Sequence, residues 1–397
     1  MENVFKIAKK YEQEIIENRR FLHAHAETGF ALTQTVAFVK QKLQEMGYTP
    51  QDCGKSGVVA TIGKSDGRGA FLLRADMDAL PIREKTGLTF ACKTGAMHAC
   101  GHDMHTAMLL GAARILKENE RKLTGQIKLL FQPAEEKLEG AKNMIEAGVL
   151  TAPRVRGAAM LHVLTNIPLS CGTLVVSSAG VTAPAADYFS VEVQGKACHG
   201  SSPQNGVDAL LCAAHIVLAL QGISAREISV ASPAVLTVGK LSAGVAGNAI
   251  ADFASMQGTL RAFDEDVRAQ VKKRLQEISL GIAKSFRAKA NVRFESGCPS
   301  LLNDKEVSKN AERALRQLLG EKSVFTSAEL GGGVAQRNGG SEDFAYISRE
   351  VPSVMIALAA GNSDEGYAYP LHHPKVQFDE RALVVGAAAY ACVGMAN

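Results

Sequence analysis

The chain has 397 residues, 46% of them hydrophobic and 21% charged, with a formal net charge of +4. That length suits two or three domains with a sizeable core. So small a charge, carried on scattered Lys and Arg, argues against nucleic acid or an anionic membrane as partner. No stretch is expected to span a membrane, and residues 1–20 read as a charged amphipathic helix rather than a secretory leader. The eight cysteines contain no CxxC pair, so reduced thiols and a cytoplasmic location are expected.

Helical periodicity runs through Phe5–Arg20 and Thr33–Met46, the latter stopped by Gly47. Strands are expected at Val58–Ile62, Phe71–Arg74, Ile127–Phe131 and Ala158–Val163, with apolar helices at Thr106–Leu116 and Ala141–Ala147 between them. This alternation predicts an α/β layer with a largely parallel, buried sheet. Near residue 180 the pattern changes: strand Asp187–Val193, helix Val207–Gln221, strands Ala234–Val238 and Ala254–Arg261, helix Asp264–Phe286. That block reads βαββα, an α+β unit. The α/β character returns with a helix near Glu306–Leu319, strand Val354–Leu358 and a closing helix from Glu380, and Gly331–Gly333 with Gly339–Gly340 reads as a flexible loop. The simplest architecture is a discontinuous α/β domain, residues 1–179 and 294–397, interrupted by a smaller domain at 180–293.

Chemistry concentrates in a few places. His98-Ala-Cys100-Gly-His102-Asp103-Met-His105 packs thiolate and imidazole groups at the mouth of a helix, where they either ligate a borderline-soft divalent metal or merely cap and pack. Glu135-Glu136 follows the strand Ile127–Phe131, and strand C-terminal ends are where open α/β sheets place their sites. Paired carboxylates there divide their labour, one on a metal and one taking a proton, or else form an acidic helix start. His162 ends a third strand and His372-His373-Pro374 precedes the last helix. Each signal is weak alone. Together they suit two metal ions, since a single catalytic zinc takes about three protein ligands.

The ordered set Asp76-Met-Asp78-Ala-Leu-Pro81, His98-Ala-Cys-Gly-His-Asp103, Glu135-Glu136, Leu161-His162 and Leu371-His372-His-Pro374 resembles the amidohydrolase branch of the aminoacylase/carboxypeptidase G metallopeptidases. Hippurate hydrolases and indole-acetyl-amino-acid hydrolases belong to that branch. The resemblance extends from Arg20-Phe-Leu-His23 to Phe378-Asp-Glu380. It implies a two-metal, aminopeptidase-like catalytic domain and an inserted ferredoxin-like domain for dimerisation or as a lid.

By this resemblance Cys100, His102, Glu136, His162 and His372 are the ligands of two divalent cations, with Cys100 as the bridge and Zn, Mn, Co or Ni as the metal. Glu135 is the catalytic base acting on a metal-activated water, and Asp78 orients a ligand. Asp76 stands where other branches carry a metal-binding histidine and is not counted as a ligand. In the inserted domain His199 reaches the substrate and the oxyanion, in cis or from a partner subunit, while Asn248 and Arg261 meet the substrate carbonyl and carboxylate. The implied activity is hydrolysis of small N-acyl-amino acids by a homodimer. A dipeptidase or other small-amide hydrolase, or an inactive metal-binding interaction protein, are the alternatives. The chain departs from the family at Ala26 before Glu27, at Asn248-Ala-Ile-Ala251, and at Gly200-Ser-Ser after His199.

Overall fold

The computed structural model describes residues 2–331 and 340–397. Of the glycine-rich loop expected from the sequence, Gly332, Gly333 and Gly339 lie outside the described residues. The chain forms two compact units, one containing the chain up to Gly180 and again from Leu302 and from Asp343, the other Val181–Leu301.

The first unit is built on an eight-stranded sheet in the order Gln51–Cys53, Gly57–Ile62, Ile127–Gln132, Ala70–Asp76, Val155–Leu164, Ser353–Ala359, Leu174–Val176, Val324–Thr326. The four central strands run parallel and the flanks are mixed. Ala70–Asp76 and Ile127–Gln132 are buried along their whole length, as strands covered on both faces must be. The apolar helices His102–Glu118 and Ala382–Ala396 pack on each other and share one core with the sheet. The single N-terminal helix expected is two, Glu2–Lys10 and Glu12–Ala24, separated at Tyr11, whose ψ of 11° leaves the helical range.

The second unit carries a four-stranded antiparallel sheet, in the order Ala234–Ala243, Phe253–Ala262, Ala185–Gln194, Lys289–Cys298. Two helices, Ala209–Gly222 and Glu265–Ser285, share a core with it. Both start on an aspartate cap: Asp208 accepts the Leu211 N–H at 3.0 Å, and Asp264 accepts those of Asp266 and Val267. The strand Lys289–Cys298 closes the unit as βαββαβ and runs past residue 293. Among the described residues one segment, Ala209–Glu227, has the length and hydropathy that a membrane crossing would need, as the core helix of a folded domain also can. Its Cys212, Ala213, Ile216 and Leu220 are buried in the unit's core.

Candidate metal centre

Three central strands deliver side chains at their C-terminal ends: Asp76 as the last residue of Ala70–Asp76 with Asp78 just after it, Glu135 and Glu136 after Ile127–Gln132, and His162 near the end of Val155–Leu164. The helix His102–Glu118 begins at the motif itself, so His102, Asp103 and His105 lie in its first turn rather than in a preceding loop. Gly101 precedes it with φ +84°, and a Cβ there would stand 2.4 Å from Val163 Cγ2. Only glycine fits between Cys100 and His102. Non-glycine residues with positive φ flank the same site: Ala134 (55°) and Leu138 (57°) bracket the single 3-10 turn Glu135–Lys137, and His372 has φ +66°. Such strain persists where the surroundings over-determine it, and it concentrates at functional sites.

Cys100 Sγ lies 3.6 Å from His162 Nε2, and His372 Nε2 lies 3.6 Å from Glu136 Oε1. His102 Nε2 is 3.9 Å from Glu136 Oε1 and 4.0 Å from Glu135 Oε2. Two ligands about 2.2 Å from one tetrahedral cation stand ~3.6 Å apart, which is this spacing. The donor atoms form overlapping groups, Cys100–His102–His162 and Cys100–Glu136–His372, with Cys100 in both. The ring nitrogens facing away are already occupied. His102 Nδ1–H donates to the Asp78 carbonyl and His162 Nδ1–H to the Val163 carbonyl, both at 2.8 Å, leaving each Nε2 as the electron-pair donor. His102 Nε2 and Glu136 Oε1 are buried with no hydrogen-bond partner among the described residues. Orphaned buried donors of this kind fit a cation.

The electrostatics point the same way. Burial pushes the Glu136 carboxyl up to about 7 and raises the Cys100 thiol, while burial lowers His372. A cation offsets the first two shifts and acts in the same direction as the third, which keeps His372 neutral and able to ligate. His102 behaves differently: burial works against its charge, but the nearby Asp76 carboxylate raises it well above the ordinary value.

Asp76 is also near, 3.7 Å from His102 Nε2, but its oxygens are engaged by His105 Nδ1 at 2.5 Å and Arg74 Nη1 at 2.6 Å. His105 Nε2 in turn accepts the Val163 N–H at 2.8 Å. Arg74 and Asp343 continue this buried network, 2.9 Å apart, and the Asp343 N–H approaches Glu135 Oε1 at 3.4 Å. The roles of Arg74, His105 and Asp343 escaped sequence reading. Arg74 looked like one more residue of a buried strand, and Asp343 stood just past the expected glycine-rich loop with no local pattern around it. His98, though part of the cysteine–histidine motif, stands outside the donor groups.

Cys100, His102, Glu135, Glu136, His162, His372 and Asp78 thus converge. His199, Asn248 and Arg261 belong to the second unit. His199 lies on a short ribbon opposite Ala249, its Nδ1 2.7 Å from Ser201 Oγ, and the Gly200 N–H bonds to the Asn248 carbonyl at 2.7 Å. Arg261 is at the far end of the strand Phe253–Ala262, about 26 Å along it from Phe253, with its guanidinium over Tyr188.

Residues 72–395 match the family model for peptidase family M20/M25/M40. An N-acetyl-L-cysteine deacetylase of Bacillus subtilis (strain 168) is 40% identical over 377 residues, covering 94% of this chain and 85% of the relative. The IAA-amino acid hydrolase ILR1-like 2 of Arabidopsis thaliana is 34% identical, covering 96% and 84%. Among solved structures, the Bacillus subtilis YXEP protein, described as a dinuclear metal binding peptidase from the M20 family, superposes with TM-score 0.77 at 31% identity, covering 98% of each chain.

Proposed function

The chain belongs to peptidase family M20/M25/M40 and is a metal-dependent amidohydrolase, and from that premise we propose that it deacylates small N-acyl-amino acids at a two-metal centre. The observation that carries this reading is the pair of donor groups sharing Cys100, with the Glu135 carboxylate beside them.

Cys100, His102 and His162 would hold one divalent ion, and Cys100, Glu136 and His372 the other. When bound, the two ions supply charge that polarises the amide carbonyl and acidifies the attacking water. Glu135 takes the proton from that water and returns it to the leaving nitrogen. Asp78 holds the backbone on which Glu135 and Glu136 sit. His199 donates a hydrogen bond to the developing oxyanion with Asn248 beside it, and Arg261 offers its fork to a carboxylate. The mixed thiolate, imidazole and carboxylate set accepts Zn, Mn, Co or Ni.

A homodimer is part of the same proposal. On the second unit the helix Ala209–Gly222 exposes Leu210, Leu211 and Leu218, the last at 70%, and the edge strand Ala234–Ala243 exposes Val235 at 59%. Open apolar surface on an edge strand and its neighbouring helix suits a second copy. The eight free cysteines fit a reducing, cytoplasmic compartment.

The test is amino-acid release from a panel of N-acyl-amino acids and dipeptides, with added Mn²⁺ or Zn²⁺ and with chelator, for the native enzyme and Glu135→Gln. Metal-dependent release from the acylated members, lowered about 10²–10⁴-fold in Glu135→Gln at unchanged metal content, is the expected result. Preference for dipeptides would move the reading to a dipeptidase, and silence on every amide would overturn it.

A further inference from the structure

Behind the metal turn lies a buried ion cluster that the chemistry above does not use. Arg19 and His23 stand four residues apart on the helix Glu12–Ala24, and so share one face. Both reach the same atom: Arg19 Nε donates to Asp103 Oδ2 at 2.7 Å, and His23 Nδ1 lies 2.8 Å from it. The Arg19 side chain is 2% exposed and that of Asp103 not at all. The far sides are fixed too. His23 Nε2 contacts Glu84 Oε1 at 3.1 Å, Glu84 also accepts the Cys92 N–H at 2.8 Å, and Arg19 Nη1 donates to Glu380 at 3.2 Å.

Asp103 immediately follows His102, two residues beyond Gly101 and three beyond Cys100. The helix that starts here has no side-chain cap among the described residues, because its cap position is Gly101. The usual means of fixing a helix start, an aspartate, serine or threonine at that position, is therefore missing. A buried ion cluster adds little net stability compared with apolar packing, but it does impose one geometry.

We propose that Arg19, Asp103 and His23 are positioning residues for the metal centre: they clamp the first turn of the helix, so that Cys100 Sγ and His102 Nε2 meet their partners at ligating distance. The proposal rests on the reading of Cys100 and His102 as ligands. Partners of metal ligands of this sort are worth about 10–100-fold in metal affinity or activity.

The same two helices supply an internal control. Arg114 Nη2, further along the helix His102–Glu118, donates to Glu14 Oε1 at 2.8 Å, which joins the pair away from the metal turn. The experiment compares native enzyme, Asp103→Asn, Arg19→Lys and Arg114→Gln, each loaded with Co²⁺. It reads the thiolate-to-cobalt charge-transfer band, the metal dissociation constants by calorimetry, and kcat and KM. The clamp predicts a shifted or weakened band, about 10–100-fold weaker metal binding and a fall in kcat with little change in KM for Asp103→Asn. Arg19→Lys keeps the charge with fewer donors, so its losses are partial, and Arg114→Gln keeps the native band and affinity. Folded Asp103→Asn or Arg19→Lys protein with native band and affinity overturns the clamp, as do equal effects from Arg114→Gln. If Asp103→Asn does not fold, the comparison of Arg19→Lys with Arg114→Gln decides. Absence of the band from the native enzyme would instead remove Cys100 from the ligand set, a separate failure.

Discussion

Asp78 Oδ1 accepts the backbone N–H of Glu135 at 2.9 Å, joining the end of one parallel strand to the turn that follows its neighbour. The same carboxylate accepts the Glu136 N–H at 3.3 Å, and the Asp78 carbonyl takes the His102 Nδ1–H at 2.8 Å. In the proposed reading one residue thus orients the base and two metal donors. Asp78→Ala removes the two backbone contacts, and the expected result is a loss of about 10–100-fold in kcat with weakened metal retention. Steady-state kinetics and metal analysis after dialysis check it; native values for both would show that the turn Glu135–Lys137 holds its shape unaided.

Because Cys100 belongs to both donor groups and His372 to one, their removal should differ in kind. Cys100→Ser is expected to weaken both metal sites, while His372→Ala leaves the Cys100–His102–His162 group complete. Metal content measured at graded free Mn²⁺ distinguishes them. Loss of a single equivalent in both variants would refute a shared thiolate.

Gly101→Ala combines a positive φ with a Cβ 2.4 Å from Val163 Cγ2. The backbone conformation alone costs roughly 1–3 kcal/mol, and the contact forces Cys100 and His102 apart from their partners. A lower melting temperature accompanied by reduced metal affinity is expected. A variant as stable as the native protein would mean that the turn has another low-energy path.

His23 carries a pH signature. Burial opposes its charge, but hydrogen bonds to Asp103 and Glu84 prevail and raise its pKa above the ordinary 6.5. Arg19 and the His98 ring, whose centroid is 6.4 Å away, also face it. A group with a raised folded-state pKa contributes stability that is complete below its unfolded value and fades as pH rises through the folded one. Urea midpoints of native and His23→Asn protein should therefore lie furthest apart below pH 6.5 and converge as the pH rises through the raised folded-state value. A constant separation would show that His23 does not titrate in the folded state.

The candidate site was legible where chemistry lies in residue type and local order. A thiol, three histidines and an aspartate within eight residues, and two glutamates directly after an apolar strand, point to metal and proton chemistry before any fold is known. The four central strands were equally legible, because strands buried on both faces read as near-continuous apolar runs, here broken only by residues such as Lys128 and Arg74. Arg74 and Asp343 were not. A buried arginine in a strand and an aspartate 269 positions later carry no local pattern that announces a shared ion pair. Arg19 and His23 stood within or beside the quoted Arg20-Phe-Leu-His23 stretch, but nothing local says that both bind Asp103.

The sequence by itself determined the α/β character, the interruption near residue 180 and the inventory of reactive groups, since these follow from periodicity and from side-chain chemistry read along the chain. Only the tertiary structure decided which of those groups share a point in space. Cys100 and His162 are 62 residues apart in the chain and 3.6 Å apart in the fold. Parallel pairing of the central strands brings their C-terminal ends to one edge, and the left-handed turn at Gly101 aims the thiol at that edge. Ligand distances depend on strand order, register and backbone turns, and these are properties of long-range packing.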